Sequence, residues 1–410
     1  MKIKLKNFAR FIAGQSPKSE YYSKEEGLPF LQGNRTFGFK YPLIDTYTKK
    51  VTKVAKKGEI LISVRAPVGD LNISPKDVCI GRGLGAISAI DGDNNFLYYA
   101  LKYNIHSLLQ QGTGTTYSSV NADIINNLIL EIPEEINARK SISNLLSNID
   151  NKIVLNNKIN DELESMAKTI YDYWFLQFEF PNEEGEPYKS SGGKMVWNEE
   201  LKREIPEGWT NGLISDLGEI ISGGTPSTKH DEYYSKNGIA WITPYDLSKT
   251  TDKYITHGEK DISQKGLEKS SAKLMPKGSI LLTSRAPIGY IGISSNEVTT
   301  NQGFKSIVPY NKSNSEYIYY LLKSIIPYLK SLGNGSTFAE ISKETLSNIP
   351  IVIPNKDIID NFNNKVIHLG KIREIKEQEN RELTSLRDFL LPLLMNGQVG
   401  FKDKENKSEG

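Results

Sequence analysis

Residues 133–178 read PEEINARKSISNLLSNIDNKIVLNNKINDELESMAKTIYDYWFLQF. Ile142, Ile149, Asn156, Leu163 and Ile170 recur every seven residues, and Leu145, Ile159, Met166 and Tyr173 fall three positions after four of them. That spacing predicts one apolar stripe along a single long helix. Pro133 and the Glu134–Glu135 pair suit its start, because proline has no N–H to satisfy there and acids face the positive helix end. A helix of about 45 residues spans roughly 65 Å at 1.5 Å per residue. A compact core needs nothing so long, so the element reads as a spacer with one sticky side. After Pro354 the pattern returns: Phe362, Leu369, Lys376, Leu383 and Leu390 lie 220 positions after the first five, and Leu386 and Leu393 match Met166 and Tyr173. Asn156 and Lys376 interrupt the two stripes at the same level, where a polar residue fixes register at some expense of stability. Two unrelated amphipathic helices, each on its own domain, is the plainer reading. The matched interruptions favour mutual partners.

Matches in the same order, at the same or a nearly constant offset, run through the rest of the chain. KGEILISVRAPVGDLNIS at 57–74 matches KGSILLTSRAPIGYIGIS at 277–294, GQSP at 14–17 answers GGTP at 223–226, and GTGTTYSSVNADIINNLILEIP at 112–133 answers GNGSTFAEISKETLSNIPIVIP at 333–354. An internal duplication decides the architecture. Its parts are a first domain at 1–133, a helix at 134–178, a polar linker at 179–208, a second domain at 209–354, a helix at 355–396 and a tail at 397–410 expected to lack order. Ile60, Ile62 and Val64 alternate before Arg65, as Ile280 and Leu282 do before Arg285, which predicts short strands. Helical spacing predicts short helices over 96–109 and 315–329. The fold class is α/β, of the α+β kind, with two strand-rich domains and two long helices forming an antiparallel coiled coil about a pseudo-twofold axis.

The chain has 410 residues, 51 Lys+Arg against 49 Asp+Glu, and one cysteine, Cys79. A lone cysteine excludes an internal disulfide framework and fits a reducing compartment. With a charged start and no apolar run of membrane-spanning length, the expected location is the cytoplasm. Catalytic motifs do not emerge. There is no GxxxxGK[ST] loop, no HExxH, no GxSxG and no paired-cysteine spacing, and the four histidines are scattered. GRGLG at 81–85 has the glycines of a phosphate loop, but the second copy reads NQGFK there, so it is not read as a nucleotide site. No catalytic, cofactor or metal residue is assigned; the chain reads as a binding protein. Residues 1–133 carry 17 basic against 11 acidic side chains, whereas 134–178 carry 5 against 7. Lys49, Lys50, Lys53, Lys56 and Lys57 crowd one region, which suits DNA phosphates as well as an ordinary solvated face.

PEGW at 206–209, SGGTPS at 222–227, WITPYDL at 241–247, KGSILLTSRAPIG at 277–289, NIPIVIP at 348–354, YDYWFLQFEFP at 171–181 and LLPLLMNGQV at 390–399 together resemble the specificity subunit of type I restriction–modification enzymes. The resemblance implies two target recognition domains held apart by antiparallel helices, each reading one half of a split double-stranded DNA sequence. It also implies two modification subunits bearing S-adenosylmethionine and the adenine methylation chemistry, and two motor–nuclease subunits that use ATP and Mg2+. No catalytic activity is expected in this chain alone. A methyltransferase–recognition fusion and a coiled-coil adaptor that never touches DNA are the alternatives, although the FxGxG-like and N/D-PP-Y/F motifs of the former are missing.

Within that frame, the paired Arg65 and Arg285 are candidates for phosphate contacts or structural ion pairs, because a residue kept in both copies is a poor reader of differing bases. Base-reading candidates lie in divergent loops: Gln32, Asn34 and Arg35 in the first copy, and Thr225, Ser227, Lys229, Tyr245 and Asp246 in the second. GTGTTY and GNGSTF could donate to phosphate or merely permit a turn. Arg139, Lys152, Lys158, Arg373 and Arg381 are candidates for docking partners on the outer helix faces.

Overall fold

The computed structural model describes residues 1–110, 119–285, 287–333 and 340–401. GTGTTY, GNGSTF beyond Gly333, and the tail after Phe401 lie outside the described residues. Two compact units result, Met1–Asn156 with Glu379–Gly410, and Asn157–Gln378.

In the first unit an antiparallel sheet runs in the order Ala9–Ala13, Leu84–Ala89, Ile60–Ser63, Leu71–Ile73. Ile60, Leu61 and Ile62 are all fully buried, because the strand is covered on both faces. Ile60 and Ile62 pack with Phe96, Leu97 and Leu101 of the helix Asn94–Gln110, whereas Leu61 packs with Leu31, Val78 and Ile80 of a second sheet. Alternate side chains along a strand point to opposite faces, so one apolar run serves two cores. The second sheet pairs Leu28–Leu31 in parallel with Val78–Ile80.

The second unit repeats the plan with its own strands. Gly218–Ser222, Lys305–Pro309, Ile280–Leu282 and Ile291–Ser294 lie side by side, extended by Tyr254–Ile255. Ile280 and Leu282 face the core that holds Tyr317, Ile318 and Leu322 of the helix Ser315–Gly333, while Leu281 faces Ile242, Val298 and Phe304. The strand Ile239–Ile242 runs parallel to Val298–Thr300. The stretch read as linker is not bare: Met195–Asn198 and Arg203–Pro206 form an antiparallel hairpin, and Phe180 stacks on Tyr188 and Trp209 with centroids 4.6 and 4.9 Å apart. The polar composition belongs to its exposed face.

The first long helix spans Ile136–Tyr171 and passes into a single wider turn, Asp172–Leu176. It starts two residues later than expected, because the Arg139 guanidinium takes the carbonyls of Pro133 and Glu134 at 2.8 and 3.1 Å. The second spans Lys356–Met395 and holds Pro392 within its last turn. Ile142, Ile149, Asn156 and Phe362 are buried, and Leu163, Ile170, Leu369, Lys376, Leu383 and Leu390 are partly buried. The second row of the stripe differs from the expectation. Met166 is 52% and Leu386 46% exposed. Buried instead are residues four positions on from the first row: Leu146, Ile153, Asn160, Ala167 and Trp174, and on the other helix Val366, Arg373, Asn380, Arg387 and Leu394. Both offsets are neighbours on a helix face; the polar character of Asn160, Arg373, Asn380 and Arg387 concealed which one is used.

Packing explains why the second helix holds a glycine, a poor helix former, at Gly370. A Cβ there would strike the Tyr254 hydroxyl and approach Glu316 Oε1 to 2.9 Å. Gly370→Ala should therefore lower stability by about 1–3 kcal/mol through overpacking, although the same change in an open helix stabilises by roughly 0.8–1.0 kcal/mol. Chemical denaturation checks the sign.

Candidate nucleic-acid interface

A cleft of about 490 Å3 in the first unit is lined by, among others, Gln32, Asn34, Arg35, Arg65 and Arg82. Tight backbone contacts build it. A Cβ on Gly83 would lie 2.6 Å from the Gln32 carbonyl oxygen, and one on Gly81 2.9 Å from Gln32 Cα. The glycines of GRGLG thus let the loop after Val78–Ile80 lie against Gln32. Val64 N–H donates to the Gly83 carbonyl at 2.9 Å, which brings the strand ending at Arg65 beside the loop carrying Arg82. Ser63 fixes the RAPVG turn by donating to the Pro67 carbonyl at 2.7 Å and accepting from Asp70 N–H at 2.9 Å. Thr283 does the same for RAPIG, with Pro287 at 2.7 Å and Tyr290 at 2.9 Å. The two arginines therefore leave matching turns.

Their partners differ. Arg285 lies 3.4 Å from Glu340, which also meets Lys305 at 3.3 Å. Arg65 and Arg82 are exposed and make no side-chain ion pair among the described residues. Arg35 pairs with Asp45 at 2.6 Å, and that hydrogen bond, helped by Thr46, holds the Asp45 carboxyl below its ordinary range. Asn34 donates to Asp70 at 2.6 Å, and Gln32 presents an exposed side chain. The lysine group lies elsewhere on the surface: Lys49 pairs with Glu26, Lys50 sits 5.2 Å from the Tyr21 ring centre, and Lys53 is exposed.

In the second unit Thr225 donates to Gln302, and Trp241 Nε1 donates to the Gly224 carbonyl at 3.0 Å. Lys229 and Ser227 are exposed in the same loop, and Lys249 lies 5.0 Å from the ring centre of exposed Tyr245. Asp246 is differently employed. Its Oδ2 accepts from Thr243 N and Oγ1 at 2.7 and 2.6 Å, and Oδ1 accepts from Glu259 N at 2.8 Å. This caps the helix Pro244–Lys249, and a carboxylate so committed has little left for a base edge.

Sequence reading passed over Arg82, whose signal was its change to glutamine in the second copy. It also passed over the charges that join each sheet to its helices. In the first unit Arg387 meets Asp150 at 2.9 Å, Tyr99 donates to the same carboxylate at 2.7 Å, and Lys40 donates to Asn151 at 2.8 Å. In the second unit Glu164 meets Arg373 at 2.7 Å, Tyr320 at 2.9 Å and also Lys323, while Lys253 meets Glu316 at 2.6 Å. Burial raises Glu164, but the cations Lys253, Lys323 and Arg373 outweigh it and hold the carboxyl at about 2. Burial pushes Glu377 up against the pull of Arg373. Arg139 and Arg373 are buried and therefore do not offer an outer face for docking. Lys152 pairs with Glu379 at 3.4 Å, and Lys158 is exposed.

Among the described residues no helix is long and apolar enough to cross a membrane. A family model, the type I restriction modification DNA specificity domain, matches residues 1–165 and 206–383. The MjaIX type I restriction enzyme specificity subunit of Methanocaldococcus jannaschii is 39% identical over 220 residues, which are 52% of this chain and 50% of that one. The HindI specificity subunit of Haemophilus influenzae is 28% identical over 343 residues, 71% of this chain and 73% of the relative. The aligned part thus spans about half of the first relative and nearly three quarters of the second. In fold, the crystal structure of the S subunit of the M. genitalium type I restriction–modification system superposes with a TM-score of 0.59 at 17% identity, covering 96% of both chains.

Proposed function

Since the chain belongs to the type I restriction–modification DNA specificity family, we propose that it is the non-catalytic specificity subunit of such a complex. Each strand-rich unit reads one half of an asymmetric, interrupted DNA sequence. The observation that carries this reading is a shared scaffold with unshared exposed side chains: both copies hold an arginine on the same turn, while the surrounding loops present different donors and acceptors. Shared positions suit phosphate, which is the same everywhere, and unshared positions suit bases.

The long helices pair antiparallel and set the distance between the half-sites. Contacts inside each unit support this, because partners on the second helix descend as those on the first ascend. Asp150 meets Arg387 and Asn156 meets Asn380 in one unit; Glu164 meets Arg373 and Tyr171 packs 5.9 Å from Phe362 in the other. Two modification subunits carrying S-adenosylmethionine, and two motor–nuclease subunits carrying ATP and Mg2+, dock on this frame in the cytoplasm. The chemistry is theirs; this chain supplies position.

The test is to express the chain with and without its modification subunit and map methylated adenines on a plasmid by single-molecule sequencing. One split motif, methylated only in the combined sample, is expected. Methylation by the chain alone would make it a fused methyltransferase, and absence of sequence-specific binding in both samples would leave an adaptor. Shortening both helices by matched turns should shorten the gap between half-sites.

A further inference from the structure

We infer that positions 82 and 302 are equivalent base-reading positions, Arg82 selecting guanine in one half-site and Gln302 selecting adenine in the other. The inference rests on the specificity-subunit reading and assigns one base-pair position in each half to one side chain. Three observations carry it. Both residues follow the strand that pairs in parallel with the neighbouring sheet strand, Val78–Ile80 in one unit and Val298–Thr300 in the other. Both sit on turns fixed by the same backbone bonds. Leu84 N–H donates to the Gly81 carbonyl at 2.9 Å and Phe304 N–H to Asn301 at 3.2 Å, while the next glycine accepts from Val64 at 2.9 Å or Ser284 at 2.8 Å. Those last two bonds also place each residue beside the turn of its unit's shared arginine, Arg65 or Arg285.

On these shared backbone bonds the side chain at the position before the common glycine changes, and both side chains are exposed. The change is from the residue that pairs with guanine O6 and N7 to the residue that pairs with adenine N6 and N7. Arg82 shares its cleft with Arg65, so a phosphate held by Arg65 would fix the strand while Arg82 reaches a base edge. Gln302 is oriented by the Thr225 hydroxyl, which donates to its Oε1. That oxygen keeps a second lone pair and the amide nitrogen keeps its donors, the pattern an adenine edge requires. A packing role for the pair would not explain two exposed, polar and different residues on one turn. Nor would a role in phosphate binding, for which both copies already share an arginine.

Four versions of the chain, each assembled with the modification subunit, test it: the unaltered chain, Arg82→Gln, Gln302→Arg and Arg65→Ala. Methylated motifs are mapped by single-molecule sequencing, and affinity is measured on duplexes carrying each single base change. Arg82→Gln should lower discrimination for guanine at one position of one half-site by about 5- to 150-fold, leaving the other half and the gap untouched. Gln302→Arg should shift the adenine preference in the opposite half towards guanine. Arg65→Ala should weaken binding to all sequences alike and make the logarithmic salt slope shallower by about 1. A uniform loss of affinity in Arg82→Gln with an unchanged motif would overturn the assignment and make Arg82 a phosphate contact. An unchanged motif and affinity in both variants would overturn it outright. If the unaltered complex yields no split motif, the specificity-subunit reading itself falls, which is a different result from failure of the two positions.

Discussion

Glu164→Ala is expected to destabilise the second unit by about 3–5 kcal/mol. It leaves buried Lys253 and Arg373 and partly buried Lys323 one carboxylate short, with Glu316 on Lys253 at 2.6 Å and Glu377 on Arg373 at 2.7 Å remaining. Lys253 and Arg373 are 2% and 10% exposed at the side chain, and Glu164 itself 16%. The carboxylate also takes the Tyr320 hydroxyl at 2.9 Å, so its removal takes an acceptor from donors on two helices, Tyr320 and Lys323 on one and Arg373 on the other. For a unit of this size the fall in Tm is on the order of 6–20 °C, read by scanning calorimetry. A fall below about 2 °C would show that the lysines escape to solvent and that the cluster holds nothing together. The pH dependence carries a separate signature. Glu164 is held at about 2, below its ordinary 4.5, so its contribution is complete above pH about 4.5 and is lost as pH falls towards 2. A shift of that size corresponds to roughly 3 kcal/mol. Glu377 runs the other way: burial raises it, so its protonation on acidification relieves strain. The alanine variant should therefore show a flatter acid limb between pH 4.5 and 2 than the unaltered chain.

This cluster matters to recognition through where it is anchored. Glu377 accepts the backbone N–H groups of Lys253 and Tyr254 at 2.8 and 2.9 Å, and the Lys253 carbonyl accepts from Ile293 at 2.7 Å. A side chain on the long helix thus grips the edge of the sheet whose other strands lead to Arg285. In the first unit Lys40 does comparable work. Its side chain reaches Asn151 on the helix while its carbonyl accepts from Ile73 at 2.8 Å, and burial pushes its ammonium pKa down. In each unit a sheet that leads to the shared arginine is tied to that unit's own helix segment, and phosphate contacts position a reader only when their frame is fixed.

Periodicity and repetition carried the fold. Seven-residue spacing marked both long helices because Ile142, Ile149 and Phe362 are apolar and buried, and the 220-residue offset marked two copies before any strand was placed. The second row of the stripe was hidden because Asn160, Arg373, Asn380 and Arg387 read as surface residues until their partners are known. No local pattern announces that Arg373 will find Glu164, 209 positions away. At the recognition loops the limit was different. Gln32, Asn34 and Arg35 were legible as divergent polar residues and do line a cleft with Arg65. Asp246 looked equally suitable, but its cap on Thr243 depends on turn geometry that side-chain type does not reveal. Arg82 was hidden by its glycines, which suggested a phosphate loop and serve instead to bring two backbones together.

Arg387→Ala should destabilise the first unit by about 3–5 kcal/mol, whereas Asp150→Leu combined with Arg387→Met should be near neutral or more stable by roughly 1–4 kcal/mol. The two effects differ because they ask different questions. Among the described residues, removing the arginine leaves the Asp150 carboxylate, 1% exposed, with the Tyr99 hydroxyl at 2.7 Å as its side-chain hydrogen-bond donor and the Lys40 ammonium as a neighbouring charge. It also removes a guanidinium lying 5.3 Å from the Phe39 ring centre. Removing both charges deletes the desolvation cost of each along with their attraction. Helix spacing sets Leu146 one turn before Asp150, and Leu391 and Leu394 one and two turns after Arg387, all in the first unit's apolar core. A Tm for the double variant as low as that of Arg387→Ala would mean that the pair's attraction exceeds its desolvation cost and that the charges are there for stability. A double variant at or above the unaltered chain would mean that they serve another purpose. Alignment is the physical candidate: an ion pair is satisfied at one register and orphaned at every other, whereas leucine and methionine tolerate several. On the proposed role of the helices as a spacer between two recognition sites, the first behaviour is the useful one, and a complex assembled on the stable double variant would then methylate at more than one gap length.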